Sequence, residues 1–187
     1  MLVRNVKKVQ FIHIKYYKLL LFFFTCLVAG CSVIDVQGNA KFTSSKSWAI
    51  LPFNNYSLAP RAGEKAEAIL TTLLRIQGIT NIKLYQEQDE DINIWPERDD
   101  RKRQENAILL AANDNVSYAI TGSVEEWQYK HGVGSEPAVG LTIWVIEVSS
   151  GKVVWSASGA RSGWSSESLS GTAQKLLKEL VSNLKVT

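Results

Sequence analysis

Cysteine and histidine are scarce in this chain, at two residues each in 187. Cys26 and His13 fall within the first 30 residues, so residues 31–187 keep one thiol, Cys31, and one imidazole, His131. One thiol closes no disulfide, and a zinc site of the usual kind needs three or four N, S or O ligands, so neither is available there. The acidic run Glu87, Asp89, Glu90 and Asp91 lacks the spacing and the glycine of a calcium loop, and it reads as a solvated acidic loop. Phosphate-cradling glycine patterns are missing, as are repeats at solenoid periods. Excess positive charge is missing too. Five of the 21 basic residues and none of the 18 acidic ones lie in residues 1–30, so the remainder carries 16 against 18, a net charge of about −2. Nothing there argues for nucleic acid, and an electrostatic partner is expected to be cationic.

A catalytic constellation is also lacking. The stretch "SSGK" (149–152) has Ser-x-x-Lys spacing, but Ser-Gly at a hairpin turn answers a backbone need. Glu125 and Glu126 are neighbours on a predicted strand, so they are expected on opposite faces, where they cannot form an acid/base pair. No nucleophile and base can be assembled. The chain is expected to be no enzyme and to need no cofactor and no metal.

What is present begins at the N-terminus. Arg4, Lys7, Lys8, Lys15 and Lys18 precede the apolar run Leu19–Gly30, with no acidic residue among them. That order is the order of an export signal, and the run is too short for a membrane span of about 20 residues. "VAGC" resembles the lipobox of bacterial lipoproteins, which implies cleavage before Cys31 and acylation of its thiol. In that class an Asp after the cysteine marks inner-membrane retention. Ser32 stands there instead, so the resemblance implies lodging on the periplasmic face of the outer membrane. The domain reading is therefore a signal peptide over 1–30, a lipidated cysteine and tether over 31–47, and one periplasmic α/β domain over 48–187. The tether "SVIDVQGNAKFTSSKS" is rich in Ser, Asn and Gly and would reach at most ~55 Å.

Within the domain, "SWAILPF" (47–53) reads as a buried strand. Ala66, Ile69, Leu70, Leu73 and Leu74 recur at helical spacing, with Gly78 as the stop. "NIKLY" (81–85) is a second strand, and a helix over about 98–112 follows the acidic loop. Strands over 116–127, 140–148 and 152–159 come next, the last two as a hairpin around "SSG". A final helix starts near Ser165 and carries Leu169, Ala173, Leu176, Leu177, Leu180 and Leu184 on one face. The predicted order βαβαβββα implies a mixed β-sheet packed with about three helices, because crossovers favour parallel pairs and the hairpin is antiparallel.

Six tryptophans are many for one domain. Trp48, Trp144 and Trp155 fall on strands and are expected to be buried. Trp164 lies in a loop, and two readings stay open: a staple from before a Ser165 N-cap onto Leu169, or an exposed contact residue.

Two stretches, "WAILPFNNYSLAPRAGEKAEAILTTLL" (48–74) and residues 118–180 with "EPAVGL" and "SGARSGWSSESLSG", resemble the PelC family of outer-membrane lipoproteins of Pel exopolysaccharide export. The resemblance implies a homo-oligomeric ring under the outer membrane. Its acidic surface would guide a cationic polysaccharide toward an outer-membrane β-barrel porin with periplasmic repeats. It places Trp164 against outer-membrane lipid and Arg161 at a subunit or headgroup contact. Glu87, Asp89, Glu90 and Asp91, or Glu125 and Glu126, would guide the polymer. The competing reading, a lipoprotein activator of a peptidoglycan synthase, needs a long disordered tether, and the 31–47 segment is short for that.

Overall fold

The computed structural model describes residues 32–85, 100–130 and 134–187, together with Lys18. The chain divides into two units, Met1–Cys31 and Ser32–Thr187, and every strand and helix named below belongs to the second.

Helix α1 (Ala62–Ile76) buries Ala66, Leu70, Leu73 and Leu74 along one stripe. It ends where the sequence places a stop. Gly78 takes φ +92°, so its N–H reaches the Arg75 carbonyl at 3.0 Å and the Ile79 N–H reaches Leu74 at 3.1 Å. Helix α2 (Asp100–Asn113) closes in the same way on left-handed Asn115, with the Val116 N–H on the Ala111 carbonyl at 3.0 Å. Helix α3 (Leu169–Val181) starts later than predicted. Its cap is Ser168, whose hydroxyl accepts the Gly171 N–H at 3.0 Å. Ser165 and Ser166 instead lie in a turn that the Glu167 N–H closes on the Trp164 carbonyl at 2.8 Å.

The main sheet is the expected mixed one. Strands β1 (Ser32–Gln37), β3 (Trp48–Ile50), β5 (Ile82–Leu84), β6 (Tyr118–Lys130), β7 (Glu136–Glu147) and β8 (Lys152–Ser162) take the order β1-β8-β7-β6-β3-β5. The short β4 (Asn54–Asn55) lies beside β6. β3 is parallel to β5 and to β6, while β6, β7, β8 and β1 are antiparallel in turn. Side chains alternate across the sheet. Ile50, Phe53, Ile120, Val124, Leu141, Ile143 and Trp155 pack with α1 and α3 on one face, and Ala49, Leu51 and Ala119 pack with Ala107 and Ala111 of α2 on the other. Trp48 and Trp155 are buried as expected; Trp144 is only half-buried, because it projects away from the α1 and α3 layer.

The tether reading is corrected. Ser32–Gln37 is an edge strand paired with β8 from Ser32 opposite Arg161 to Gln37 opposite Ser156. Strand β2 (Lys41–Phe42) pairs in parallel with β9 (Lys185–Val186), and Phe42 is buried against Trp48 and Tyr118 at ring-centre distances of 5.5 and 5.2 Å. The Thr187 N–H donates to the Phe42 carbonyl at 2.8 Å. Both partners stand more than a hundred residues away in sequence, so the polar local composition carried no trace of them.

Candidate functional site

One end of the sheet gathers the residues singled out for contact. Here the start of β7, the end of β8 and the start of α3 meet. Gly163 sits between them, its N–H on the Pro137 carbonyl at 2.8 Å. A Cβ there would lie 2.6 Å from Thr172 Oγ1 and 2.9 Å from Pro137 Cγ, so only glycine lets the loop pass. That constraint turns Trp164 outward. It is 57% exposed, and with the helix cap at Ser168 it no longer holds the position of a staple onto Leu169. Leu169 is held otherwise: its N–H donates to the Tyr129 hydroxyl at 3.3 Å, and Tyr129 is itself exposed. Glu167 braces the loop through Lys175 at 2.8 Å. The hydrogen bond from Lys175 holds the Glu167 carboxyl below its ordinary range.

Arg161 stands on β8 and turns toward α3. Its Nη1 lies 3.3 Å from Glu179 Oε2, and the Ser32 hydroxyl donates to the same carboxylate at 3.4 Å. The Glu179 carboxylate therefore ties both β8, through Arg161, and the first residue of β1 to α3. Cys31 lies outside the described residues, as do Glu87, Asp89, Glu90 and Asp91.

The strand geometry of Glu125 and Glu126 differs from expectation. Val124 faces Leu141 and Glu126 faces Gly140, so Glu125 is an extra residue in β6. Such a bulge sets two successive side chains against one partner. A Cβ on Gly140 would lie 3.4 Å from Glu126 Cβ and 3.6 Å from Glu125 Cβ, which puts both carboxylates on one face. The opposite-face expectation fails because period-2 alternation holds only in an unbroken strand. Glu125 accepts a hydrogen bond from the Ser123 hydroxyl. Glu126 accepts from Gln128 Nε2 at 3.0 Å and pairs with Lys130 at 3.5 Å. The "SSGK" serines sit in the β7–β8 turn, where the Ser150 hydroxyl donates to Glu147 Oε2 at 2.6 Å.

No family model and no curated protein matches the chain. Solved structures do. The PelC dodecamer from Paraburkholderia phytofirmans superposes at TM-score 0.71 with 32% identity, over 84% of this chain and 99% of that one. A methionine-substituted form of that dodecamer gives TM-score 0.71 and 33% identity, over 84% and 100%. The chain belongs to the PelC family. The LpoB C-terminal domain from Salmonella enterica is far more distant, at TM-score 0.44 and 21% identity over 66% of this chain and 87% of that one.

The family resemblance now has physical content. Within "SGARSGW", Gly163 is required by the close approach of Thr172 and Pro137, and in "SSESLSG" Ser168 supplies the helix cap. Pro137 of "EPAVGL" is the residue against which Gly163 closes. These PelC-like segments thus build the loop that displays Trp164. Among the described residues no group of three His, Cys, Asp or Glu side chains could hold a metal ion, and no helix is long and apolar enough to cross a membrane. Sequence reasoning missed Tyr129 and β1. The β-branched residues Val33, Ile34 and Val36 were the available signal for the strand.

Proposed function

We propose that this chain is a non-enzymatic, lipid-anchored subunit of a ring on the periplasmic face of the outer membrane. The ring would guide a cationic exopolysaccharide toward a β-barrel porin during export and biofilm matrix formation. The likeness to the PelC dodecamer over nearly all of that chain carries the reading. Local geometry supports it. A tryptophan more than half exposed on a braced loop suits the headgroup layer of a membrane. Ser32, one residue after the acylated cysteine of the lipobox reading, pairs with Arg161 three residues before that tryptophan, so anchor and ring would leave the domain from one end. Two carboxylates on the β6 bulge offer acceptors to a cationic polymer. The activator reading loses support, since a chain already in the sheet at Ser32 has less free length to reach a distant partner.

The test is the mass of the full-length chain extracted in mild detergent, beside polysaccharide export from cells lacking the gene and complemented with it. A multi-subunit species and restored export are expected. A single chain at micromolar concentration would remove the ring, and unchanged export in its absence would remove the role.

A further inference from the structure

The segment Tyr56–Arg61 joins β4 to α1, and its sequence builds a loop that its own polar groups close. Asn55 Nδ2 donates to the Ala59 carbonyl at 2.8 Å, and Asn55 Oδ1 accepts both the N–H of Ser57 at 3.1 Å and its hydroxyl at 2.7 Å. The Ser57 hydroxyl accepts the Ala59 N–H at 3.3 Å. The Tyr56 N–H ties the loop to β6 at the Val124 carbonyl, 2.9 Å away. At the far end Arg61 takes a left-handed φ of 58° and its guanidinium donates to Glu64. A loop so fixed has already met its ordering cost before any partner arrives. Yet its tip is apolar: Leu58 is 98% exposed and Tyr56 59%. A lone exposed leucine is ordinary. A leucine held wholly in water on a rigid turn is preorganised for contact, and the tyrosine beside it is of the type enriched at interface anchors.

We infer that this loop is the protruding half of a head-to-tail contact between copies of this chain. The occupant is a second copy because the relatives at 32% and 33% identity are dodecamers. A ring closed by rotation joins two different patches of each subunit, so every chain must present an anchor that meets a distinct surface on its neighbour. A stable interface buries about 800 Å² per partner, and the loop is its centre and not its whole extent. The contact has a consequence for the bulge. Tyr56 hangs from Val124, the residue before Glu125, so each joint between subunits carries a pair of carboxylates beside it.

The inference rests on the ring reading, and the experiment separates the two. Full-length protein in detergent is measured by native mass for wild type, Leu58→Asp, Leu58→Met and Asn55→Ala, each with a melting curve. Leu58→Asp is expected to raise the concentration for half-assembly at least about tenfold, with melting of the dissociated chain, measured below that concentration, unchanged because the side chain is almost wholly in water. Leu58→Met should assemble as wild type. Asn55→Ala should weaken assembly because it frees the loop while sparing its tip. Wild type that is itself a single chain overturns the ring and this contact together. A ring that forms equally well with Leu58→Asp overturns the contact alone. Loss of binding to phosphatidylethanolamine–phosphatidylglycerol vesicles with the ring intact would reassign the loop to lipid and equally overturn it.

Discussion

Replacing Ile34 by Ala separates a structural β1 from a tether. Ile34 pairs with Gly159, and a Cβ built on Gly159 would lie 3.1 Å from Ile34 Cγ1 and 3.1 Å from Leu176 Cδ1. The side chain therefore lies over β8 and against α3. It is only half-buried. Full burial would cost 2–5 kcal/mol on truncation, so about 1–2 kcal/mol is expected here. For a unit the size of Ser32–Thr187, that lowers the melting temperature by about 2–8 °C. Val33 is 67% exposed and projects from the other face, so Val33→Ala should stay within about 0.5 kcal/mol. The assay is thermal unfolding followed by circular dichroism on wild type and both variants. Equal melting of all three would refute the pairing and return residues 32–37 to a tether. A companion perturbation inserts six Gly/Ser residues between Cys31 and Ser32, adding about 20 Å of slack. Membrane retention should persist and export should fall, because the domain then loses its fixed height above the bilayer.

Cys31→Ser should leave the melting curve in place and shift the protein from the membrane fraction to the soluble one; sedimentation with outer membranes at wild-type level would remove the lipobox reading. Trp164→Ala should cost at most about 2 kcal/mol, since less than half of the ring is out of water. Export should nevertheless drop well beyond any loss of protein level, and a fall in export only proportional to that level would leave Trp164 a packing residue. Joint Glu125→Gln and Glu126→Gln should weaken binding of a cationic polysaccharide, and wild-type binding should itself fade as salt passes about 0.15 M. Polymer binding that ignores both changes would reduce the bulge to a solvated feature. Glu167 has its folded-state pKa lowered by Lys175. Its contribution is present above the unfolded carboxyl value, near 4.3, and is lost as pH falls through the lower folded value. Glu167→Gln should flatten that part of the acid limb in pH-dependent melting, and an acid limb identical to wild type would show that the pair contributes nothing.

The sequence by itself determined what short-range physics controls. The stripe of α1 and its stop at Gly78 depend on residues within a few turns of each other, as does the "SSG" hairpin between β7 and β8. Crossovers through α1 and α2 made the parallel pairs readable before any coordinates. Only the tertiary structure decided the rest, because each remaining feature depends on a partner remote in sequence. The stretch from Ser32 to Gln37 becomes a strand through β8, and Phe42 becomes core through β9. Glu125 and Glu126 share a face because the register of β7 forces an extra residue into β6. Ser168, and not Ser165, caps α3 where the packing of Gly163 against Pro137 and Thr172 sets the path of the chain. That path also turns Trp164 into solvent. Local sequence offered two serines and two readings of one tryptophan; contacts brought together from β7 and α3 left one geometry.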